Sequence, residues 1–212
     1  ETGLIVIGTL AFYLIESQAG GVLYKEGFKN SIMQSAFQSV SARTAGFYSV
    51  KLNQMHDTSV LLLIILMVIG GSPGSTAGGL KTTTFGVLIL STISIFKQED
   101  EVTIFKKHIE PKIIRKALAI IMVYLGLIFI VIFILSMSEN FKVIDISYEV
   151  SSAFATVGAS RGITQDLSTL GKILITISMY LGRIGPMTMA YSLGLKSKTK
   201  YIRYPEANIS IG

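Results

Sequence analysis

The chain contains no cysteine, which excludes disulfides and thiolate metal sites. It has only two histidines, His56 and His108, too far apart in sequence to read as a ligand pair. Charge is scarce as well: charged residues make up 15% of the 212, against roughly 25% in soluble domains, so water is not expected to be the only solvent. No basic leader with a small-residue cleavage site opens the chain; it turns apolar by Leu4, as expected of a fragment cut near a helix start. The net charge of +6 does not point to a nucleic-acid partner, because the basic residues gather beside apolar runs and are not interleaved with base-stacking aromatics.

What is present is apolar. Half of the residues are hydrophobic, and the mean hydropathy is +0.58. Residues 117–137 contain no charge, and at about 1.5 Å per residue they can cross a hydrocarbon core of about 30 Å. Residues 3–15 read as a membrane helix lacking a turn or two, whereas 30–42 and 146–155 are apolar stretches too short to span and suggest re-entrant helices. The apolar run over 58–96 is broken by GGSPGSTAGG at 70–79, with Lys81 just beyond. Glycine and proline at that density cannot continue an ordinary helix, and irregular backbone at membrane depth requires protein or a water-filled cavity around it. A broken helix lining a cavity is expected there.

A last crossing is expected over 173–195, interrupted by Arg183 and Pro186. The charged connector that follows residue 96 and the tail with Lys196, Lys198, Lys200 and Arg203 then fall on one side, which the positive-inside rule makes cytoplasmic. The expected organisation is a helical unit over 1–96, a cytoplasmic connector over 97–111, a second helical unit over 112–195 and a cytoplasmic C-terminal tail over 196–212. The protein is expected to be multi-pass in the cell (plasma) membrane.

The two units resemble each other. Phe37-Gln38-Ser39-Val40-Ser41-Ala42 precedes Arg43-Thr44-Ala45-Gly46, and Tyr148-Glu149-Val150-Ser151-Ser152-Ala153 precedes Phe154-Ala155-Thr156-Val157-Gly158. Each follows an apolar helix and precedes another, so the order helix, short helix, Thr-X-Gly loop, helix occurs twice, as in duplicated units. A cation crossing a membrane must exchange water for other oxygens, and a glycine-containing loop can turn successive carbonyls inward. A short helix ending at such a loop adds the negative end of its dipole, favouring cations. An ordinary turn is the alternative for a bare Thr-X-Gly.

Ser41 to Phe47, the run from Gly70 to Gly79 with Leu80 and Lys81, Phe154 to Gly158, Gly162-Ile163-Thr164 with Asp166 to Thr169, Leu181 to Pro186, and the tail from Tyr204 to Gly212 together resemble the Ktr/Trk/HKT superfamily of potassium and sodium transporters, and within it the KtrB type of membrane subunit. The resemblance implies an all-α membrane protein built from membrane helix–pore helix–filter loop–membrane helix repeats. Four such repeats surround one pseudo-fourfold pore, and this chain corresponds to the third and fourth. It implies a selectivity filter at Thr44, Ala45, Gly46, Phe47 and at Thr156, Val157, Gly158, Ala159, with potassium at Thr44, Gly46, Thr156 and Gly158. It makes Gly70, Gly71, Ser72, Pro73, Gly74, Ser75, Thr76, Ala77, Gly78, Gly79 and Lys81 a gate loop beneath the filter. It further implies K+ as the transported ion, Na+ as a candidate activating ion, and no covalent cofactor. The implied partners are an N-terminal half with two further repeats, a second copy in a homodimer, a KtrA-like cytoplasmic nucleotide-binding ring, and membrane lipid.

Arg183 lies deep in an apolar span and is expected to face the ion path or the gate loop, since intramembrane charges face cavities or partners. Lys81 either does the same or reaches an interface. Glu149 is open between a local cap and an ion contact; Arg43 and Arg161 read as solvated or as braces behind the loops. Two other classes remain open. Gly70-Gly71-Ser72-Pro73-Gly74 satisfies the G-x-S-x-G pattern of a serine hydrolase, but Pro73 removes an oxyanion-hole N–H and neither histidine lies in an apolar span. A non-conducting membrane scaffold is the other. The same loop departs from a phosphate-binding P-loop because Leu80 precedes Lys81 where glycine is required.

Overall fold

The computed structural model describes residues 1–75, 77–99, 101–104 and 107–185; Thr76, Pro186, the end of the crossing expected over 173–195 and the whole basic tail lie outside the described residues. The described chain is helical: α1 (Thr2–Glu16), α2 (Phe28–Ser41), α3 (Asp57–Val68), α4 (Thr82–Phe96), α5 (Pro111–Ser138), α6 (Val143–Phe154) and α7 (Thr169–Ile184). The sole sheet among the described residues pairs β1 (Thr103–Ile104) with β2 (Lys107–His108), antiparallel, inside the connector.

Among the described residues one helix, α5, is long and apolar enough to cross a membrane, while α1, α3 and α4 are shorter apolar helices. With 28 residues, α5 is about 42 Å long at 1.5 Å per residue. It begins at Pro111, earlier than its uncharged run, because proline suits the first helical position and the following Lys112, Arg115 and Lys116 are good helix formers. Their aliphatic stems can lie along the helix while the heads reach an interface. Phe129, Phe133 and Met137 stand exposed along it, as a lipid-facing helix requires.

The short helices α2 and α6, 14 and 12 residues long, cannot span a core of about 30 Å. Their packing is decided by small and polar side chains. Ser31, Ser35 and Ser39 recur every four residues along α2 and are all buried, and Ser39 Oγ donates to the Ile5 carbonyl of α1 at 3.0 Å. Small residues let helix backbones approach closely where lipid offers no hydrophobic drive for association. A side chain on Gly8 of α1 would overlap Ser39 of α2 and Leu66 of α3, so three helices meet there.

Among the described residues two apolar clusters form the core. One joins Phe12, Val60, Leu63 and Met67 to Tyr148, Ala155, Val157 and Ala159, so the loop after α6 packs into the half of the chain that contains α1 and α3. The other unites Ile120, Tyr124 and Ile128 of α5 with Ile146, Val150 and Phe154 of α6 and Ile175 of α7. The Tyr124 and Phe154 rings meet edge to face at 6.0 Å, a favoured aromatic geometry. The turn into α7 is pinned to the end of α5: the Glu139 carboxylate accepts from the Ser168 hydroxyl and from its backbone N–H at 3.2 Å, and Ser168 in turn caps α7 by accepting from Gly171 N at 3.1 Å.

The polar segment after residue 15 is not wholly solvated. Glu16 is fully buried, and its two carboxylate oxygens accept from the backbone N–H groups of Val22 and His56, at 2.9 and 3.0 Å. Burial of a carboxylate is tolerated because its acceptors are satisfied.

Candidate functional site

Each short helix ends at a Thr-X-Gly loop, and the two loops share a backbone signature. Thr44 and Gly46 have φ of +80° and +76°, Thr156 and Gly158 have +56° and +85°, and the residues between them, Ala45 and Val157, are not among the positive-φ positions. Such alternation reverses successive peptide units, which allows neighbouring carbonyls to fall on one side of the strand. A β-branched residue at positive φ is strained, and strain of this kind persists where the surroundings over-determine it, commonly at functional sites. The first loop meets the second: a Cβ on Gly46 would overlap the Val157 carbonyl and lie 3.6 Å from the Gly158 carbonyl carbon. At Gly158 the same position opens onto empty space.

The loops are braced from behind. Ser41 Oγ, at the end of α2, donates to the Phe47 carbonyl. Arg43 has a side chain only 6% exposed and donates from Nη2 to the Gly70 carbonyl at 2.7 Å. Arg161, beyond the second loop, pairs with Asp145 of α6 and donates from Nε to the Leu52 carbonyl at 3.0 Å, with Asp57 of α3 at 3.7 Å. Both arginines, open in sequence between solvation and bracing, are braces. Glu149 resolves the same way: it accepts from Ser160 and Thr164.

Between α3 and α4 the helix breaks as expected. Leu80 N donates to Val68 O at 3.1 Å and Thr82 N to Gly71 O at 3.2 Å, closing the neck of the glycine-rich loop. Lys81 turns back over the loop and donates from Nζ to the Ser75 and Ala77 carbonyls at 3.1 and 2.8 Å, so its charge serves the loop and not an interface. At its far side the loop touches the second Thr-X-Gly segment: Gly78 N donates to Thr156 Oγ1 at 3.0 Å, and a Cβ on Gly78 would sit 2.5 Å from that oxygen and 2.8 Å from the Ala155 carbonyl. No residue larger than glycine fits there without displacement.

Arg183 of α7 lines a cavity of about 300 Å³ together with Ser152, Ala153, Thr156, Gly158 and Met179. It reaches this place because Gly182 lies against the backbone of Phe154, where any side chain would collide with the end of α6. The sequence-predicted residues of both Thr-X-Gly loops, the glycine-rich loop and Arg183 are thus drawn into one region. Phe47 stands apart in being largely exposed, and Thr76 lies outside the described residues. Glu16 was not singled out from the sequence, because burial by helices distant in the chain carries no local signal.

Ser72 offers no hydrolase geometry. Its carbonyl accepts from Ser75, and among the described residues no hydrogen bond joins Ser72 to either histidine. Known proteins point elsewhere. The potassium/sodium uptake protein NtpJ of Enterococcus hirae is 39% identical over 218 residues, covering 100% of this chain and 48% of that protein. The Ktr system potassium uptake protein B of Bacillus subtilis is 36% identical over 214 residues, again covering 100% of this chain and 48% of the relative. The chain spans about half the length of the curated relatives it matches. The crystal structure of the potassium transporter TrkH from Vibrio parahaemolyticus has the same fold, with a TM-score of 0.77 and 18% identity over 91% of this chain and 43% of that one. These relatives are transport proteins, not enzymes, and the hydrolase reading is set aside. A family model described as TrkH, cation transport protein, matches residues 4–198, and the chain belongs to that family of membrane transporters.

Proposed function

We propose that this chain is half of a potassium-uptake pore, in which the carbonyls of Thr44, Ala45, Gly46, Phe47 and of Thr156, Val157, Gly158, Ala159 replace the water around K+. The observation that carries this reading is the meeting of the two Thr-X-Gly loops, Gly46 against the Val157 carbonyl, each with the same alternation of φ. The helices α2 and α6 end at these loops, so their dipoles favour a cation and disfavour an anion. The glycine-rich loop is the gate: it lies against Thr156, is held by one lysine and one arginine, and has few bulky anchors to oppose its movement. Arg183, sharing a cavity with Thr156 and Gly158, raises the electrostatic barrier to a cation below the filter.

In the whole protein this half completes a pore with two further repeats, pairs with a second copy, and is regulated by a cytoplasmic nucleotide-binding ring. Transport is passive, driven by the ion gradient and membrane potential. The protein sits in the plasma membrane as a multi-pass protein with its C-terminus in the cytoplasm. The name of the Enterococcus relative includes sodium, which agrees with Na+ as a second or activating ion.

Flux through the full-length protein in liposomes tests this. Gly46→Ala forces a side chain into the Val157 carbonyl at a positive φ, and K+ uptake should fall at least tenfold at unchanged protein level. Unaltered K+ flux in that variant, or none in the parent protein, would remove the pore reading and leave a scaffold.

A further inference from the structure

Glu149 sits on α6, within the last two turns before the second Thr-X-Gly loop, and is 5% exposed. Its carboxylate accepts from Ser160 Oγ at 2.8 Å and from Thr164 Oγ1. The two hydroxyls are 2.8 Å from each other, and Ser160 Oγ also accepts from Gly162 N at 3.0 Å. The three side chains and one backbone N–H form a closed network on the segment of chain that leaves Gly158. Among the described residues Glu149 makes no salt bridge, so the hydroxyls compensate its burial.

Stability alone does not account for this arrangement, because burying a carboxylate costs free energy that its hydrogen bonds only offset. What the carboxylate supplies is direction. A charged acceptor with two oxygens orients two hydroxyls at once, and hydrogen bonds to charged groups resist distortion more than neutral ones. The first loop is held differently. There Ser41 binds the Phe47 carbonyl directly, and the buried Gln38 of α2 leaves its Oε1 without a partner among the described residues.

We propose that Glu149, acting through Ser160 and Thr164, is a positioning residue that holds the Gly158 loop at the width suited to potassium and so sets the preference for potassium over sodium. This rests on the pore reading above. On the cavity-size account of selectivity, K+ and Na+ differ in size by a fraction of an ångström, so carbonyls free to shift by that amount lose the distinction. A rival account has the carboxylate acting at a distance, as a charge that attracts any cation.

Full-length protein in liposomes separates the two. Thr164→Val removes one hydroxyl while keeping charge and volume; the ratio of K+ to Na+ flux should fall about tenfold, the value of one hydrogen bond to a charged group. Glu149→Ala should lower it at least as far. Thr164→Ser, which restores the hydroxyl, should recover the ratio, and Glu149→Gln, which keeps both side-chain partners but makes both bonds neutral and weaker, should lower it about threefold, less than Glu149→Ala. An unchanged ratio in Thr164→Val at the parent's protein level overturns the inference, as does an equal fall in Glu149→Gln and Glu149→Ala with Thr164→Val unaffected. Absence of any flux in the unaltered protein overturns the pore reading first, and this inference with it.

Discussion

Thr44 and Thr156 are held at a backbone conformation that a β-branched residue avoids, and the groups that hold them are specific: Arg43 and Ser41 around the first, Gly78 and the α6 terminus around the second. Strain at a residue is kept only when neighbours offset it. In the glycine-rich loop the decisive residue is Lys81, whose ammonium joins two carbonyls. Lys81→Gln would loosen that tie, and K+ flux through the full-length protein is expected to rise severalfold; an unchanged or lower flux would show that the lysine does not restrain the loop. In Gly78→Ala the added methyl meets Thr156 Oγ1 and the Ala155 carbonyl. The loop must withdraw from Thr156, so this variant should also conduct more, with a weaker dependence on any regulatory partner.

At the scale of elements, the short helices are positioned by close approach. The end of α6, which leads into the second Thr-X-Gly loop, is fixed by α7, through Gly182 against Phe154, and by α5, through Tyr124 on the Phe154 ring. Gly182→Ala places a methyl in the Phe154 backbone, and the α6–α7 contact must open. Overpacking of this kind costs about 1–3 kcal/mol, so thermal melting of the purified protein should show a lower midpoint together with reduced uptake. A variant that melts like the parent would mean that α7 shifts freely. The short lengths of α2 and α6 were legible in the sequence because the extent of an apolar run is a local property. The serine face of α2 was not, because serine reads as polar until a neighbouring helix is seen to accept its hydroxyl at Ile5.

For the molecule as a whole, a buried arginine bonds across the two halves. Arg161, 8% exposed, pairs with Asp145 in the second half and bonds the Leu52 carbonyl in the first. Breaking a buried ion pair costs about 3–5 kcal/mol, but Asp145 is 20% exposed and Asp57 66%, so solvent reduces the figure to about 1–3 kcal/mol. Arg161→Gln should therefore lower the melting temperature by several degrees and allow the two Thr-X-Gly loops to separate, read as a fall in K+ flux that high salt does not restore. Retention of both stability and flux would show that the halves are held without Arg161.

Composition, hydropathy and the spacing of glycine determined by themselves that the chain is a helical membrane protein, broken at 70–79, with two similar units and two Thr-X-Gly loops. These follow from residue types at fixed separations along one chain. Only the tertiary structure decided that Arg43 reaches Gly70, that Gly78 touches Thr156, that Arg161 joins both halves and that Glu149 holds Ser160 and Thr164. The physical reason is that a buried charge takes its meaning from whichever polar groups surround it after folding, and no pattern in the chain states in advance which groups those are.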